Sequence, residues 1–192
     1  MINLSILRHA STDADNKGIT LGKLDWPLNH SGLESAKSFA SELKKTGESF
    51  DLIISSPLLR AKQTADLIGA ELSVSVAVNH LIAERDFGEM SGLSWSEFIS
   101  KFPDLTKGNT PVFQSNLPSG ESIPDVEKRV QNFIDFLLAN FESKSILIVT
   151  HTGIIRILKR LIGNVSAKNS RSKNVQNLEI THLTLAKAIS PC

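Results

Sequence analysis

Strand-length apolar segments alternate with amphipathic helical segments along most of this chain, and this order limits the folds it can adopt. The segments of strand length are Ile2–Leu7, Leu52–Ile54, Val74–Val78, Ser145–Val149 and Leu178–Leu185. The apolar runs of the first four are typical of buried strands. The alternation in the last is typical of a peripheral strand. Strands that alternate with helices form a mostly parallel sheet covered on both faces. The sequence therefore predicts an α/β fold, a three-layer α-β-α sandwich.

Four amphipathic segments between the strands are predicted to be helices. Ser31 and Glu34 fit a capping box for the first, and Gly47 ends it. Gly69 is predicted to end the second, which runs over Leu58–Ile68. The other two helices are predicted over Pro124–Asn140 and over Thr152–Ile162, and the stretch Asp13–Pro27 is predicted to be a loop.

The stretch from Leu81 to Gly120 is less regular. A short helix is indicated where Ser94 and Glu97 form a capping box, and Pro103–Ser119 resembles a loop. A long stretch without periodicity inside a compact domain is usually functional. We therefore expect a single domain of 192 residues in which residues 93–120 form a small cap over a pocket.

Composition narrows the classes of partner. Twenty-one basic and twenty acidic residues give a formal charge of +1, without the strongly basic surface of a nucleic-acid binder. The single cysteine, Cys192, excludes an internal disulfide framework and a phosphatase loop of the Cys-x5-Arg type. Met1–Leu7 is too short for a membrane span and lacks the basic start of a signal peptide. We expect a cytoplasmic protein that binds neither nucleic acid nor membrane.

Basic side chains follow three of the predicted strands directly. Arg8 and His9 follow the first strand, Arg60 comes shortly after the second, and His151 follows the fourth. In an open α/β sheet, ligands bind beyond the carboxyl ends of parallel strands, so groups distant in sequence converge there. Taken singly, each residue is more often structural or part of a surface ion pair. The recurrence of basic groups after three strands predicts a phosphate pocket.

Each of these residues suits one role in phosphoryl transfer. A neutral imidazole at His9 is a good nucleophile toward phosphorus, and it forms a labile phosphohistidine. The guanidinium groups of Arg8 and Arg60 match phosphate oxygens and keep their charge. His151 is expected to be a further cationic donor, and Thr152 opens a helix whose N-terminus faces the anion.

Breaking a phosphate ester without a metal also requires an acid that protonates the leaving oxygen. Glu84 is the predicted acid, because it follows the third strand and lies toward the same edge of the sheet. Without the other motifs, an ion-paired surface glutamate beside Arg85 is the better interpretation.

Six ordered elements of the chain resemble those of the histidine phosphatase superfamily (phosphoglycerate mutase-like, branch 1). The most specific is Ser55–Ala65, which matches the family's second signature almost residue for residue. The others are Leu7–Thr12, Asp25–Leu28 with Gly32, Glu84–Gly88 with Gly92, Gly120–Ser122 with Arg129, and Val149–Gly153. The phosphatase subgroup it resembles includes α-ribazole phosphatases and broad-specificity phosphatases.

The resemblance implies a set of roles around one phosphoryl group. It implies that His9 is phosphorylated, that Glu84 donates the proton, and that no metal or cofactor takes part. It also implies a phosphoryl-binding set made of Arg8, Arg60, His151, Thr12, Asp15 and Thr152.

Three positions depart from the family pattern. Ala10-Ser11 replaces Gly-Glu, and Ser91 stands where many relatives have Glu. Asp15 stands where the family commonly has Asn. A carboxylate at that position repels a phosphate dianion unless it is protonated, turned away or replaced by Asn16. We expect these changes to affect substrate preference more than catalysis.

The function that fits best is a metal-independent phosphomonoesterase acting on a small phosphorylated metabolite and releasing inorganic phosphate. The cap offers only Lys101 and Lys107 as cations, fewer than a second phosphate usually requires. Apolar cap residues are expected to meet an organic leaving group: Phe102, Val112, Phe113 and Leu117.

Several alternatives stay open. They are a phosphoglycerate mutase-type transfer, a catalytically weak phosphate-binding regulatory module, and a metal-dependent or aspartyl-phosphate phosphatase using Asp13 and Asp15. A serine hydrolase is excluded, because no Gly-x-Ser-x-Gly motif is present. A homodimer formed through the final strand or the helix of Trp95 also stays open.

Overall fold

A mixed sheet forms the centre of the computed structural model, which describes residues 1–106, 117–166, 169 and 174–186. Its strands are β1 (Ile2–Arg8), β2 (Leu52–Ser55), β3 (Val76–Val78), β4 (Ser145–Thr150) and β5 (Ile180–Leu185). They lie in the order β3-β2-β4-β1-β5. β1, β2, β3 and β4 are parallel, and β5 pairs antiparallel with β1.

The burial of each strand explains its place in this order. Ile146, Leu147, Ile148 and Val149 of β4 are all fully buried, which suits a strand with a neighbour on either side and helices on both faces. β5 alternates between partly buried and exposed positions and lies at the edge of the sheet. The predicted peripheral place of the last strand is confirmed.

Helices cover both faces of the sheet and confirm the predicted α/β sandwich. The longer helices are α2 (His30–Thr46), α3 (Leu59–Leu72), α6 (Ile123–Asn140) and α7 (Thr152–Leu161); the shorter ones are α1 (Asp13–Lys17), α4 (Trp95–Lys101) and α5 (Pro103–Thr106), with 3₁₀ turns at His80–Ile82 and Gly88–Met90. α6 and α7 pack on one face of the sheet, around Phe133 and Leu158. α2 and α3 pack on the other, around Ala40 and Ile68. None of the described helices is both long and apolar enough to span a membrane.

The N-terminus of α2 differs from the prediction. Asn29, not Ser31, is the N-cap, and its Oδ1 accepts the N–H of Gly32 at 2.7 Å. Gly32 lies against the backbone of Ser11, where a Cβ atom would collide with the Ser11 carbonyl. The helix therefore starts two residues early, and its first turn packs against the loop that follows β1.

Gly69 does not end α3, which continues to Leu72 and is capped by Ser73 in the left-handed conformation. A Cβ atom on Gly69 would lie 2.6 Å from a methyl group of Val76 and 2.8 Å from the carbonyl oxygen of Val74. The glycine thus permits close packing between α3 and the start of β3. The N–H of Val74 bonds to the carbonyl of Gly69, so β3 begins at Val76, two residues later than predicted.

The stretch predicted as a loop over Asp13–Pro27 contains α1. Thr12 caps this short helix through a capping box with Asp15, and Gly18 ends it in the left-handed conformation. The motif was present in the sequence, since Thr12 and Asp15 have the spacing of a capping box. Because the helix has only five residues, it carries too few apolar positions to show a helical period.

The described part of the predicted cap holds α4, α5 and a small apolar cluster of its own. Phe98 and Leu117 of the cap are buried against Met90 of the preceding 3₁₀ turn, with Phe102 packed beside them. Ser94 caps α4 through a capping box with Glu97, as predicted. Val112, Phe113 and Lys107 lie outside the described residues.

Candidate active site

The predicted site residues come together at the carboxyl ends of the parallel strands. His9 follows β1, His151 follows β4, Arg60 lies in the first turn of α3 after β2, and Glu84 follows the 3₁₀ turn after β3. A cavity of about 340 Å³ opens at this edge. Of the predicted residues, Arg8, His9, Thr12, Asp15, Arg60, Glu84 and Thr152 line it. His151 lies behind His9, and the two ring centroids are 5.1 Å apart.

His9 is buried and held in a defined orientation. Its Nδ1 lies 2.7 Å from the carbonyl oxygen of Ala10. Because a carbonyl only accepts hydrogen bonds, Nδ1 must carry the ring hydrogen, and Nε2 keeps a lone pair. Burial, reinforced by the charge of Arg60, lowers the pKa of His9 to about 3. His9 is therefore a neutral imidazole at physiological pH, with its lone pair on Nε2.

His151 is also held by one specific partner. Its Nε2 lies 2.7 Å from the Oγ of Ser56, which also accepts the N–H of Leu58 at 3.3 Å. We assign the Ser56 hydrogen to Nε2, which leaves the ring proton of His151 on Nδ1. Nδ1 is buried and has no hydrogen-bond partner among the described residues. The ring can therefore offer one N–H donor.

The predicted positive charge on His151 is wrong for these surroundings. Complete burial, followed by the charge of Arg60, lowers the pKa of His151 well below its usual value. An imidazolium here would be desolvated and would lie close to two guanidinium groups. The positive charge of the site therefore comes from arginine.

Arg60 is almost completely buried, with 2% of its surface exposed. Its Nη1 donates to the carbonyl of Leu24 and its Nη2 to the carbonyl of Gly22, each at 2.8 Å. Burial lowers the pKa of Arg60, but from so high a starting value that the group stays charged. The arginine is thus a fixed buried cation and not a surface residue.

Thr64 connects Arg60 to the loop that follows His9. Its Oγ1 donates to the carbonyl of Arg60 at 2.8 Å and accepts the N–H of Ala10 at 3.1 Å. Both partners are buried, so this hydroxyl fixes the first turn of α3 relative to the end of β1.

Arg8 and Asp15 form an ion pair at the wall of the cavity. Arg8 Nη2 donates to Asp15 Oδ1, and Arg8 Nη1 donates to the carbonyl of Val175 at 2.7 Å. The other carboxylate oxygen of Asp15 accepts the N–H of Thr12 at 2.8 Å and its hydroxyl at 2.7 Å. Asp15 is therefore not turned away from the site, and Asn16 is exposed and does not replace it.

The carboxyl group of Glu84 is buried and held by two backbone groups. Its Oε1 accepts the N–H of Arg85 at 2.8 Å, and its Oε2 accepts the N–H of Gly153 at 3.1 Å. A Cβ atom on Gly153 would collide with this carboxyl group. Glycine is thus the residue that lets the N-terminus of α7 approach Glu84.

Arg129 of α6 fixes the backbone around Glu84. Its Nη1 donates to the carbonyls of Leu81 and Ala83, each at 2.7 Å, and its Nη2 donates to the carbonyl of Glu84 at 3.1 Å. Glu121 completes the arrangement by accepting from Nε of Arg129 at 3.0 Å. The Gly120–Ser122 and Arg129 motif therefore positions the proposed acid without entering the cavity itself.

Sequence reasoning missed the roles of Ser56, Gly153 and Arg129, although all three lie in its motifs. A hydroxyl two residues after a strand, or an arginine in a long helix, has no distinctive local pattern. Only the contacts with His151 and Glu84, which are distant in sequence, reveal what these residues do.

The outer part of the cavity has apolar walls and a charged rim. The apolar residues are Ile19, Leu21, Phe87, Ile123, Val126 and Ile157, and the charged ones include Arg85, Glu127, Arg156 and Arg160. Arg160 forms an ion pair with Glu127. Phe102 and Leu117, predicted to meet the leaving group, pack in the cluster around Phe98 instead. None of the described residues of the predicted cap lines the cavity, because α6 and α7 supply that wall.

Within the described residues, no group of three or more His, Cys, Asp or Glu side chains is placed to hold a metal ion. The alternative that uses Asp13 and Asp15 as an acidic pair finds no support in their positions. Asp13 is exposed, whereas Asp15 is paired with Arg8.

Several phosphatases are among the proteins that this chain resembles. The chain is 31% identical over 159 residues to phosphoserine phosphatase 1 of Hydrogenobacter thermophilus. The aligned region covers 82% of this chain and 74% of that protein. A mycobacterial glucosyl-3-phosphoglycerate phosphatase in complex with VO3 superposes with a TM-score of 0.81, at 25% identity and with 95% and 90% of the two chains covered. The α-ribazole phosphatase from Shigella flexneri gives a TM-score of 0.76, at 28% identity and with 88% and 83% covered.

The family model of the histidine phosphatase superfamily (branch 1) matches residues 4–188. The match extends over nearly the whole chain, and it includes every site residue described above. The chain therefore belongs to branch 1 of the histidine phosphatase superfamily.

Proposed function

We propose that this protein is a phosphomonoesterase that hydrolyses a small phosphate ester through a phosphohistidine on His9, without a metal. The observation that carries the proposal is the state of His9. The ring is neutral, its Nδ1 is bound to the backbone, and the residue lines the cavity together with Arg8 and Arg60. Family membership and the phosphatase relatives support phosphatase activity at this site.

The first step forms the phosphoenzyme. The Nε2 lone pair of His9 attacks phosphorus, an N–P bond forms, and the ester P–O bond breaks. Glu84, in its protonated form, gives its proton to the leaving oxygen, so the product is a neutral alcohol. Arg8 and Arg60 spread the negative charge of the transferring group.

The second step restores the enzyme. A water molecule attacks phosphorus while the Glu84 carboxylate takes one of its protons, and the N–P bond breaks. Inorganic phosphate leaves, His9 is again neutral, and Glu84 is again protonated. The backbone bonds that hold the Glu84 carboxyl group keep it at the same place in both steps.

The leaving group is proposed to lie in the outer part of the cavity. Its apolar walls and charged rim suit a small organic alcohol that carries polar substituents. The relatives named for phosphoserine, glucosyl-3-phosphoglycerate and α-ribazole act on esters with different alcohols. They support the reaction class. Turnover of a panel of phosphate esters would identify the alcohol.

The test is hydrolysis of para-nitrophenyl phosphate in excess EDTA by the parent protein and by His9→Ala. We expect turnover in the parent that EDTA does not reduce, and none in His9→Ala. His30→Ala removes an exposed histidine and is the matched control, with parent activity expected. Mass spectrometry after rapid quenching at alkaline pH should show one added phosphoryl group in the parent and in His30→Ala, and none in His9→Ala.

Four outcomes contradict the proposal. Turnover that survives in His9→Ala shows another nucleophile, and turnover abolished by EDTA shows a metal-dependent enzyme. Phosphate binding without turnover of any ester in a panel identifies the regulatory module. Transfer of the phosphoryl group to an added hydroxy acid, without release of inorganic phosphate, identifies a mutase.

A further inference from the structure

Asp15 places a negative charge inside a pocket that otherwise suits an anion. Its carboxylate lines the cavity beside His9 and is bound to Arg8, one of the two cations proposed to hold the phosphoryl group. The backbone N–H and hydroxyl of Thr12 bond to its other oxygen. A bound phosphoryl group must therefore lie next to a carboxylate that only accepts hydrogen bonds.

Asp15 is ionised in these surroundings. Burial opposes the charge, but the hydrogen bonds from Thr12 and the charge of Arg8 outweigh it and lower the pKa of Asp15. The groups that face it are Arg8 and His9 from the end of β1 and Arg60 from α3, and of these His9 is neutral.

The charges of the phosphoryl end therefore do not match a dianion. When Glu84 is protonated as the acid, the guanidinium groups of Arg8 and Arg60 and the carboxylate of Asp15 have a net charge of +1. A phosphate monoester has a second pKa near 6, so it carries one or two negative charges around neutral pH. The monoanion neutralises the site, whereas the dianion leaves it with an excess negative charge.

Hydrogen bonding favours the same form. A monoanionic phosphoryl group has one P–OH, which can donate to the carboxylate of Asp15. A dianionic group has only acceptor oxygens, and it would place one of them against another acceptor in a partly buried site.

We propose that Asp15 makes this site select the monoanionic form of its phosphate ester over the dianion. This inference rests on the proposed function, since it concerns the substrate of the same pocket. The Arg8–Asp15 pair stays intact when a monoanion binds. Asp15 accepts from the P–OH, and Arg8 donates to a neighbouring phosphate oxygen. The value of kcat/KM then falls as pH rises above the second pKa of the ester.

The test compares the parent with Asp15→Asn, in which the amide oxygen can still accept from Thr12 but the charge is gone. Asp13→Asn is the matched control, because it removes the same charge from the exposed side of the same short helix. Inorganic phosphate binding is measured by calorimetry, and kcat/KM for a small alkyl phosphate by phosphate release, from about pH 5.5 to about pH 8.5.

Removing one unit charge a few ångströms from the ligand should tighten phosphate binding at about pH 8 by about tenfold, with a much smaller change near pH 5.5. The profile of kcat/KM for Asp15→Asn should be flatter above pH 6 than that of the parent. Asp13→Asn should follow the parent. Equal pH dependence in the parent and Asp15→Asn, or weaker phosphate binding by Asp15→Asn at every pH, overturns the inference.

Two further measurements separate this inference from the reaction itself. If no ester is turned over, the proposed function fails, and the pH dependence of phosphate binding still decides the role of Asp15. If Asp15→Asn does not fold, the parent is compared on two esters with different second pKa values. The pH at which kcat/KM declines should follow the ester, and a decline at one fixed pH contradicts the proposal.

Discussion

Each histidine of the site is held in one tautomer by a different partner. The Ala10 carbonyl fixes the proton of His9 on Nδ1, and Ser56 fixes that of His151 on Nδ1 as well. The first arrangement leaves a lone pair for attack, and the second leaves an N–H donor. Two identical side chains 5.1 Å apart therefore present different groups, and we propose different roles for them.

Replacing Ser56 should reduce activity, whereas replacing Ser55 should cost similar stability and leave activity unchanged. In Ser56→Ala, His151 loses the contact that holds its ring. We expect kcat to fall about tenfold, less than removal of a well-placed donor costs, because the ring itself remains. Ser55→Ala is the control, because Ser55 is equally buried and its hydroxyl donates to the Ser56 carbonyl at 2.8 Å. Both variants should lose about 1 kcal/mol of unfolding free energy in urea titrations. Similar kcat values for the two would show that Ser56 is only structural.

Helix ends determine most of the geometry at the scale of elements. The N-terminus of α7 carries Thr152 and Gly153 to the cavity, and the first turn of α3 carries Arg60. The starts of α3 and α7 were predictable to within one residue, because periodic apolar residues follow each strand. Their contacts were not, since the N–H of Gly153 meets Glu84 from 69 residues away.

Gly153→Ala should move Glu84 from its position. The added methyl group occupies the place of the carboxyl group, and a displacement of about 1 Å is expected to reduce kcat about a hundredfold. The higher helix propensity of alanine offsets part of the stability lost to overpacking. Thermal unfolding and kcat are measured for Gly153→Ala, Glu84→Ala and the double variant. The loss of stability in the double variant should be smaller than the sum of the losses in the two single variants. A loss equal to that sum would show that the methyl group does not contact Glu84.

Buried neutral histidines link the stability of the whole molecule to pH. The pKa of His9 is about 3 in the folded protein, against 6.5 for an unperturbed histidine. Between these values the unfolded chain binds a proton that the folded protein does not, so stability is highest above pH 6.5 and falls as pH decreases. His151, whose pKa is also lowered, acts in the same direction.

We expect His9 alone to remove about 2 kcal/mol of unfolding free energy between pH 7.5 and pH 5. Urea titrations at the two pH values measure this loss of unfolding free energy. Over the same interval His9→Gln should lose about 2 kcal/mol less than the parent. His30→Ala, which removes an exposed histidine, should lose as much as the parent. If His9→Gln and the parent show the same pH dependence, His9 is not held neutral by its surroundings.

The alternation of apolar runs with amphipathic segments was enough to predict the α/β sandwich. A strand buried on both faces is apolar at successive positions, and a helix buried on one side is apolar at helical spacing. The basic residues that follow β1, β2 and β4 were likewise predictable as a cluster, since parallel strands end at one edge. The order of the strands, with β4 between β1 and β2, was not predicted. Nor were the contacts of Asp15 with Arg8 and of Ser56 with His151, or the packing of Leu117 away from the cavity. The tertiary structure decides these features because each depends on contacts that form only when the chain is folded. The local spacing of residues does not determine those contacts.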